Sequence, residues 1–310
     1  MLETPRILCL LLLLLLPATY ALPPPPPARP ALLSSPSPNV FYFAVGSNLL
    51  QSKLANRSSN STISFLSFEP ASVEGHRLAF NLRGFPPLEP GMGGIEPCAA
   101  ATIHGALVCL PRAEYEKVWR SEGGGSKNPG YEEYVVTARP YATSSAASPE
   151  VQAVAFRARP HVRLPRDASP SRRYLNILLE GARELKLDPA YQLYLEQIPT
   201  QNPSRILRSM SLTSFFFTGI LFRLQLSYLI KPVTYLLWRV YAPASSSRAR
   251  LLLSEAASAL VLLPTFALGL GVRLLLKLTG KPLPPMMKLM MDKAPPTPPA
   301  PAPAPAPDAP

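Results

Sequence analysis

Proline narrows the choices for this chain more than any other residue. The 310 residues include 40 prolines, which are densest in two blocks, Pro23 to Pro38 and Pro295 to Pro310. Each proline fixes one backbone torsion and removes a hydrogen-bond donor, so neither block can build a core. Yet 47% of the chain is apolar and only 16% is charged, so the apolar excess has to sit in a few hydrophobic segments. Setting those segments and the proline blocks aside leaves about 165 residues, enough for one domain and too few for a multidomain machine. The net charge of +12 gathers beside apolar stretches, at Arg205, Arg208, Arg223, Lys231, Arg239, Arg248, Arg250, Arg273, Lys277 and Lys281. No aromatic residues interleave with it in the manner of a single-strand-binding groove, so the charge points to membrane lipid and not to nucleic acid.

The boundaries follow from texture. Ile7 to Leu16 is an apolar run behind Arg6 and ahead of the small residues Ala18 to Ala21, which predicts a secretory signal peptide over 1–21; an uncleaved anchor is the other reading. A Pro-rich linker covers 22–39, the foldable domain 40–200, a hydrophobic region 205–283, and a Pro/Ala-rich disordered tail 284–310. Two acceptor triplets, Asn56-Arg57-Ser58 and Asn60-Ser61-Thr62, suit a surface loop that carries sugar in the secretory route, with the domain lumenal or extracellular. Cys9, Cys98 and Cys109 give no disulfide framework and no metal signature; the last two could pair or stay as small buried hydrophobes.

Within 40–200, Val40 to Ala44, His76 to Arg83, Thr102 to Leu110, Tyr134 to Arg139 and Val151 to Arg157 read as strands. Thr102 to Leu110 is apolar on both faces, as an inner strand requires. A helix is predicted to start at Ser169 as its cap and Pro170 as its first residue, burying Tyr174, Ile177, Leu178, Ala182 and Leu185. Asp188-Pro189 opens a second, shorter one. The class is α+β.

Farther on, 209–230 and 256–276 are candidate membrane helices, both short enough that buried or interfacial hairpin helices remain the alternative. Two crossings would return the C-terminal tail to the side of the domain.

Most catalytic signatures are missing. His76, His104 and His161 have no ligand spacing, Gly123-Gly124-Gly125-Ser126-Lys127 lacks the phosphate-loop order and reads as a flexible loop, and Ser47 is not in a nucleophile elbow. What remains is the bend Ala44-Val45-Gly46-Ser47-Asn48-Leu49, whose Gly46 permits tight backbone geometry and whose N–H groups could cradle a carboxylate, and Glu122, a carboxylate ahead of the glycine run. Taken singly these are a turn and a solvated loop glutamate.

Read in order, the pieces say more. Phe41 to Leu50 resembles the opening signature of the gamma-glutamylcyclotransferase family, with Val45 where Tyr is usual. Met92-Gly93-Gly94-Ile95 resembles its Gly-Gly-Ile turn, His104 to Val108 the strand after it, Ser121-Glu122-Gly123 through Tyr131 its catalytic Glu-Gly stretch, and Ser171 to Leu187, with Tyr174 and Gly181-Ala182, its late helix. The resemblance implies a small mixed β-barrel with flanking helices, here followed by C-terminal membrane helices. It implies that Tyr42, Phe43, Ala44, Val45, Gly46 and Ser47 hold a gamma-glutamyl group, that Tyr174 borders it, and that Glu122 is a general base releasing 5-oxoproline without metal or organic cofactor. Phe156 also departs from a common strand Tyr. The leader and hydrophobic extension resemble a fungal-type membrane-associated branch, some members of which act on glutathione conjugates in secondary metabolism. A non-catalytic gamma-glutamyl-binding module and a membrane scaffold are the rival readings.

Overall fold

The computed structural model describes residues 29–34, 37–57, 62–126, 129–141, 149–223 and 231–279. The expected signal peptide, Asn60 and Ser61 of the second triplet, and the whole of the expected tail lie outside these residues. A one-turn helix, α1 (Ala31–Ser34), precedes strand β1 (Asn39–Ala44). A 3-10 turn (Ser47–Leu49) and a short helix α2 (Gln51–Ala55) follow. Strands β2 (Ser67–Phe85) and β3 (Glu89–Pro111) form one long hairpin, and helix α3 (Arg112–Ser121) leads to β4 (Tyr131–Pro140) and β5 (Val151–Ala158). The strands close into a barrel in the order β1-β3-β2-β4-β5. All pairs are antiparallel except β5 with β1, which meet in parallel at Tyr42 and Val154. The barrel is therefore mixed, and closure removes the exposed edges that an open sheet of this size would carry.

Apolar side chains explain the closure. Phe43, Leu107, Ile103, Leu78 and Val154 are almost wholly buried, and the strand apolar on both faces lies in β3 between β1 and β2. The hairpin strands run much longer than their alternating cores suggest because bulges between Glu74 and His76 and between Ala79 and Leu82 let pairing continue through irregular sequence. Met92 to Ile95, expected as a turn, lies within β3 and stays paired to β2.

Helix α4 (Arg172–Glu184) and helix α5 (Pro189–Glu196) pack beside the barrel. The first begins two residues later than predicted. Ser171, not Ser169, caps it by accepting from the Tyr174 N–H at 3.0 Å, while the Ser169 hydroxyl accepts from the Ala244 N–H. Asp188 caps α5 as expected, with Pro189 in the first turn. Part of the Pro-rich stretch is docked as well. The Arg29 guanidinium donates to both Glu133 and Glu116, and Leu33 is buried in the barrel core.

Beyond the domain come α6 (Arg205–Arg223), α7 (Lys231–Val240) and α8 (Arg248–Leu278). Only α8 is long and apolar enough to cross a membrane among the described residues; the 209–230 candidate contains the C-terminal part of α6, which ends at Arg223. Cys98 and Cys109 are both free thiols.

Candidate active site

The bend after β1 is shaped by what presses on it. Gly46 has φ −96°, which any residue can adopt, so its smallness matters here and not its torsional freedom. A Cβ at this position would stand 2.9 Å from the Tyr174 hydroxyl and 3.5 Å from the Gly93 carbonyl. The chain then tightens into the 3-10 turn, closed by the Leu49 N–H donating to the Gly46 carbonyl at 2.9 Å.

Opposite, α3 terminates at Glu122, whose N–H still reaches the Val118 and Trp119 carbonyls at 3.2 Å. The glycine run after it is a defined stop and not loose chain: Gly123 and Gly125 sit in the left-handed region at φ 87° and 84°, and Gly124 lies flat on the Trp119 indole. This stop aims the Glu122 side chain inward.

Tyr42, Phe43, Val45, Gly46, Ser47, Tyr174 and Glu122 all line one hollow of about 420 Å³ counting its mouth. Ala44 does not join them; it is fully buried in the wall. Around the Glu122 carboxylate the contacts are dense. Arg57 Nη2 lies 2.5 Å from Oε1, and Asn48 Nδ2 donates to the same oxygen at 3.0 Å and to the Tyr42 hydroxyl at 3.0 Å. Arg57 Nη1 also donates to Ser47 Oγ at 2.9 Å, so one guanidinium ties the bend to the carboxylate. Asn48 Oδ1 is buried and has no hydrogen-bond partner among the described residues.

The floor is Gly93. Its N–H donates to the Tyr174 hydroxyl at 3.1 Å and its carbonyl accepts from the Tyr131 hydroxyl at 2.8 Å. Phe156 completes the wall, 4.9 Å from the Tyr42 ring and packed also on Trp119 and Tyr131.

The electrostatics keep the tyrosines as neutral donors at neutral pH. Burial, then the Glu122 charge, pushes the Tyr42 hydroxyl far above its ordinary range. Burial raises Tyr131 likewise, and it pushes Tyr174 up to about 12. For Arg57, burial favours the neutral form but the Glu122 charge and its neighbours outweigh it, so the guanidinium is held more firmly protonated. A carboxylate, a cation and three neutral hydroxyls around a polar hollow can bind a small zwitterion and move one proton on it.

Sequence reasoning missed Asn48, Arg57, Met92, Gly93, Tyr131 and Phe156 as lining residues. Asn48 stood in the quoted bend, Met92 and Gly93 in a motif taken for a turn, and Tyr131 at the end of the Glu-Gly stretch. Arg57 carried no signal of its own, since it read as the middle of a glycosylation triplet. His104 lies away from the hollow, stacked on Tyr141 and Tyr191. Among the described residues no group of His, Cys, Asp and Glu is arranged to hold a metal ion.

No family model matches the chain. Two curated fungal proteins do. Gamma-glutamyl cyclotransferase gliK of Claviceps purpurea is 33% identical over 141 residues, 44% of this chain and 60% of that protein. Its namesake in Aspergillus fumigatus is 27% identical over 190 residues, 56% of this chain and 67% of the relative. This chain thus matches about two thirds or less of their length. A solved structure titled gamma-glutamyl cyclotransferase shares 20% identity over 54% of this chain and 91% of its own, with a TM-score of 0.45. Over about half of its length the chain is thus similar to curated proteins named gamma-glutamyl cyclotransferase.

Proposed function

We propose that the protein is a gamma-glutamylcyclotransferase that converts a gamma-glutamyl amide or peptide, a glutathione conjugate being one form, to 5-oxoproline and a free amine. The observation that carries this reading is the opening of the Glu122 carboxylate onto the same hollow as the bend from Val45 to Asn48. A gamma-glutamyl compound brings its own nucleophile, the α-amine, which is protonated and inert at neutral pH. In this reading Glu122 takes one proton from the ammonium, and the amine nitrogen then bonds to the γ-carbonyl carbon. The bond from that carbon to the departing nitrogen breaks as the proton on Glu122 passes to the leaving amine, and the restored carboxylate takes the second proton from the ring nitrogen, which leaves a neutral lactam; that proton then goes to the free amine, which departs as an ammonium. Atoms balance with no further reactant. N–H groups at the start of the 3-10 turn are not used by the turn itself and suit the substrate α-carboxylate. Holding both reacting groups of one molecule within reach supplies much of the acceleration, with effective molarities that can reach about 10⁵ M.

Arg57 and Asn48 keep the carboxylate facing the guest in this scheme. The same ion pair favours a second reading, a binding module in which Arg57 holds Glu122 too firmly for turnover. Incubating the purified protein with gamma-glutamyl dipeptides, glutathione and glutathione conjugates separates the two. Cyclisation releases 5-oxoproline, whereas a binding module raises the melting temperature with ligand and forms no product.

A further inference from the structure

The three C-terminal helices are arranged in a way that two membrane crossings cannot produce. Helices α6 and α8 run parallel: the Ser204 N–H, at the start of α6, donates to Glu255 at 2.9 Å, and farther along Thr213 meets Arg273, which donates to its hydroxyl at 3.1 Å. Gly269 lies directly against the Thr213 backbone and the Phe217 side chain. Between them the chain comes back. At the end of α7, Trp238 donates to the Gly84 carbonyl at the tip of the β2–β3 hairpin, and the Tyr241 hydroxyl accepts from the Ser169 N–H. The Ala242 N–H then reaches Ser254 in the first turns of α8. Both α6 and α8 therefore start beside the barrel and run the same way, with the hairpin tip reaching along α6 to Phe215, whose ring lies 5.7 Å from that of Phe85, and the excursion along α6 is cancelled by the return along α7.

Helix α8 is dressed for lipid. From Arg250 to Arg273 it rises about 35 Å, against about 30 Å for the hydrocarbon layer of a bilayer. Leu253, Leu260, Leu263 and Leu268 stand open, Leu260 at 72% exposure, and the run from Ala256 to Val272 has no charge. The cations lie at both ends: Arg248 and Arg250 beside the barrel, Arg273 and Lys277 far from it. Such a collar at each end fits the two headgroup layers of a phospholipid bilayer. A soluble partner would leave no reason for the second collar. Where α6 meets α8 the contact uses small and hydroxylated residues, Ser211, Thr213, Ser214 and Gly269, with Ser211 and Thr218 donating back to their own helix at 2.7 and 2.9 Å. That packing suits helices that meet inside lipid.

We infer that α8 carries the chain across a phospholipid bilayer and that the barrel and the C-terminal tail lie on opposite sides of it. This does not depend on the chemistry of the hollow. The test is protease protection of the full chain, with an epitope tag after Pro310, in sealed microsomal vesicles, reading the barrel and the tag separately. One of the two signals is expected to survive and the other to be lost. Survival of both, or loss of both, overturns the inference, as does full release of the protein by alkaline carbonate, which would mean that another copy of the chain covers the leucines. The double substitution Leu260→Arg with Leu263→Arg should bring tag and barrel to the same side, and an unchanged protection pattern counts equally against the proposal.

Discussion

Two carboxylates in this molecule are equally sheltered, and they are opposites. The side chains of Glu122 and Glu96 are each 11% exposed. Glu96 lies in β3 and both of its oxygens are engaged: Oε1 by Asn81 at 3.0 Å and Arg163 at 3.1 Å, Oε2 by Arg157 at 3.1 Å and Arg163 at 3.2 Å. The named contacts of Glu122, from Arg57 and Asn48, fall on Oε1 alone, and the group faces a hollow. Burial works against ionisation at Glu96, but the hydrogen bonds from Asn81, Arg157 and Arg163 outweigh it and hold its carboxyl below the usual range. Burial alone does not separate the structural acid from the proposed base; the number of engaged oxygens and the open volume beside them do.

The contrast is broken most severely at Glu122. Glu122→Gln is expected to lower 5-oxoproline release per folded molecule by about 10² to 10⁴-fold, the usual worth of a general base, and to lower the melting temperature as well, because Arg57 loses its counter-charge. A variant that turns over at the native rate removes Glu122 from the chemistry. Arg57→Met should cost about 10²-fold through misplacement of the carboxylate, as small displacements do in other sites, and Arg57→Lys should recover part of it. The measurement is kcat and KM on the same substrate panel, and the loss belongs in kcat.

Glu96→Gln should leave activity per folded molecule intact and destabilise the fold by about 2 kcal/mol at neutral pH, the scale of hydrogen bonds to a charged group. The sign follows from the lowered carboxyl. Its stabilisation is present above the unfolded pKa and is lost as pH falls through the folded one, so wild type and variant should converge in acid when urea unfolding is followed against pH. Arg163→Met is the smallest change, about 1 kcal/mol, because Arg157 and Asn81 still hold Glu96. If it instead lowers turnover, the division between the two carboxylates is false.

Much of this was legible before any coordinates. Alternation and β-branched runs located strand segments, Asp188-Pro189 marked a helix start, and the bend at Val45 to Asn48 and Glu122 were both singled out and share one hollow. Other features depend on distant partners. Ser169 and Ser171 are equal candidates by local rules, and only the Ala244 N–H on the Ser169 hydroxyl decides between them. Gly93 and Gly94 read as a turn because glycine usually makes one, but here they pass between aromatic side chains inside a strand. Arg57 became a site residue through an ion pair spanning 65 positions, which no spacing rule reaches. The direction of α8 relative to α6 was equally invisible, because hydropathy records how long a segment is and not which way it runs.

Gly93 is grasped from both sides, by Tyr174 on its nitrogen and Tyr131 on its oxygen. One residue, through the peptide groups on either side of it, is thereby cross-braced to α4 and β4 before any guest arrives, and the ordering of that surface is met during folding and not on association. For the gamma-glutamyl guest we propose, discrimination should accordingly be steeper for bulk added against the braced Gly93 than for changes toward the mouth.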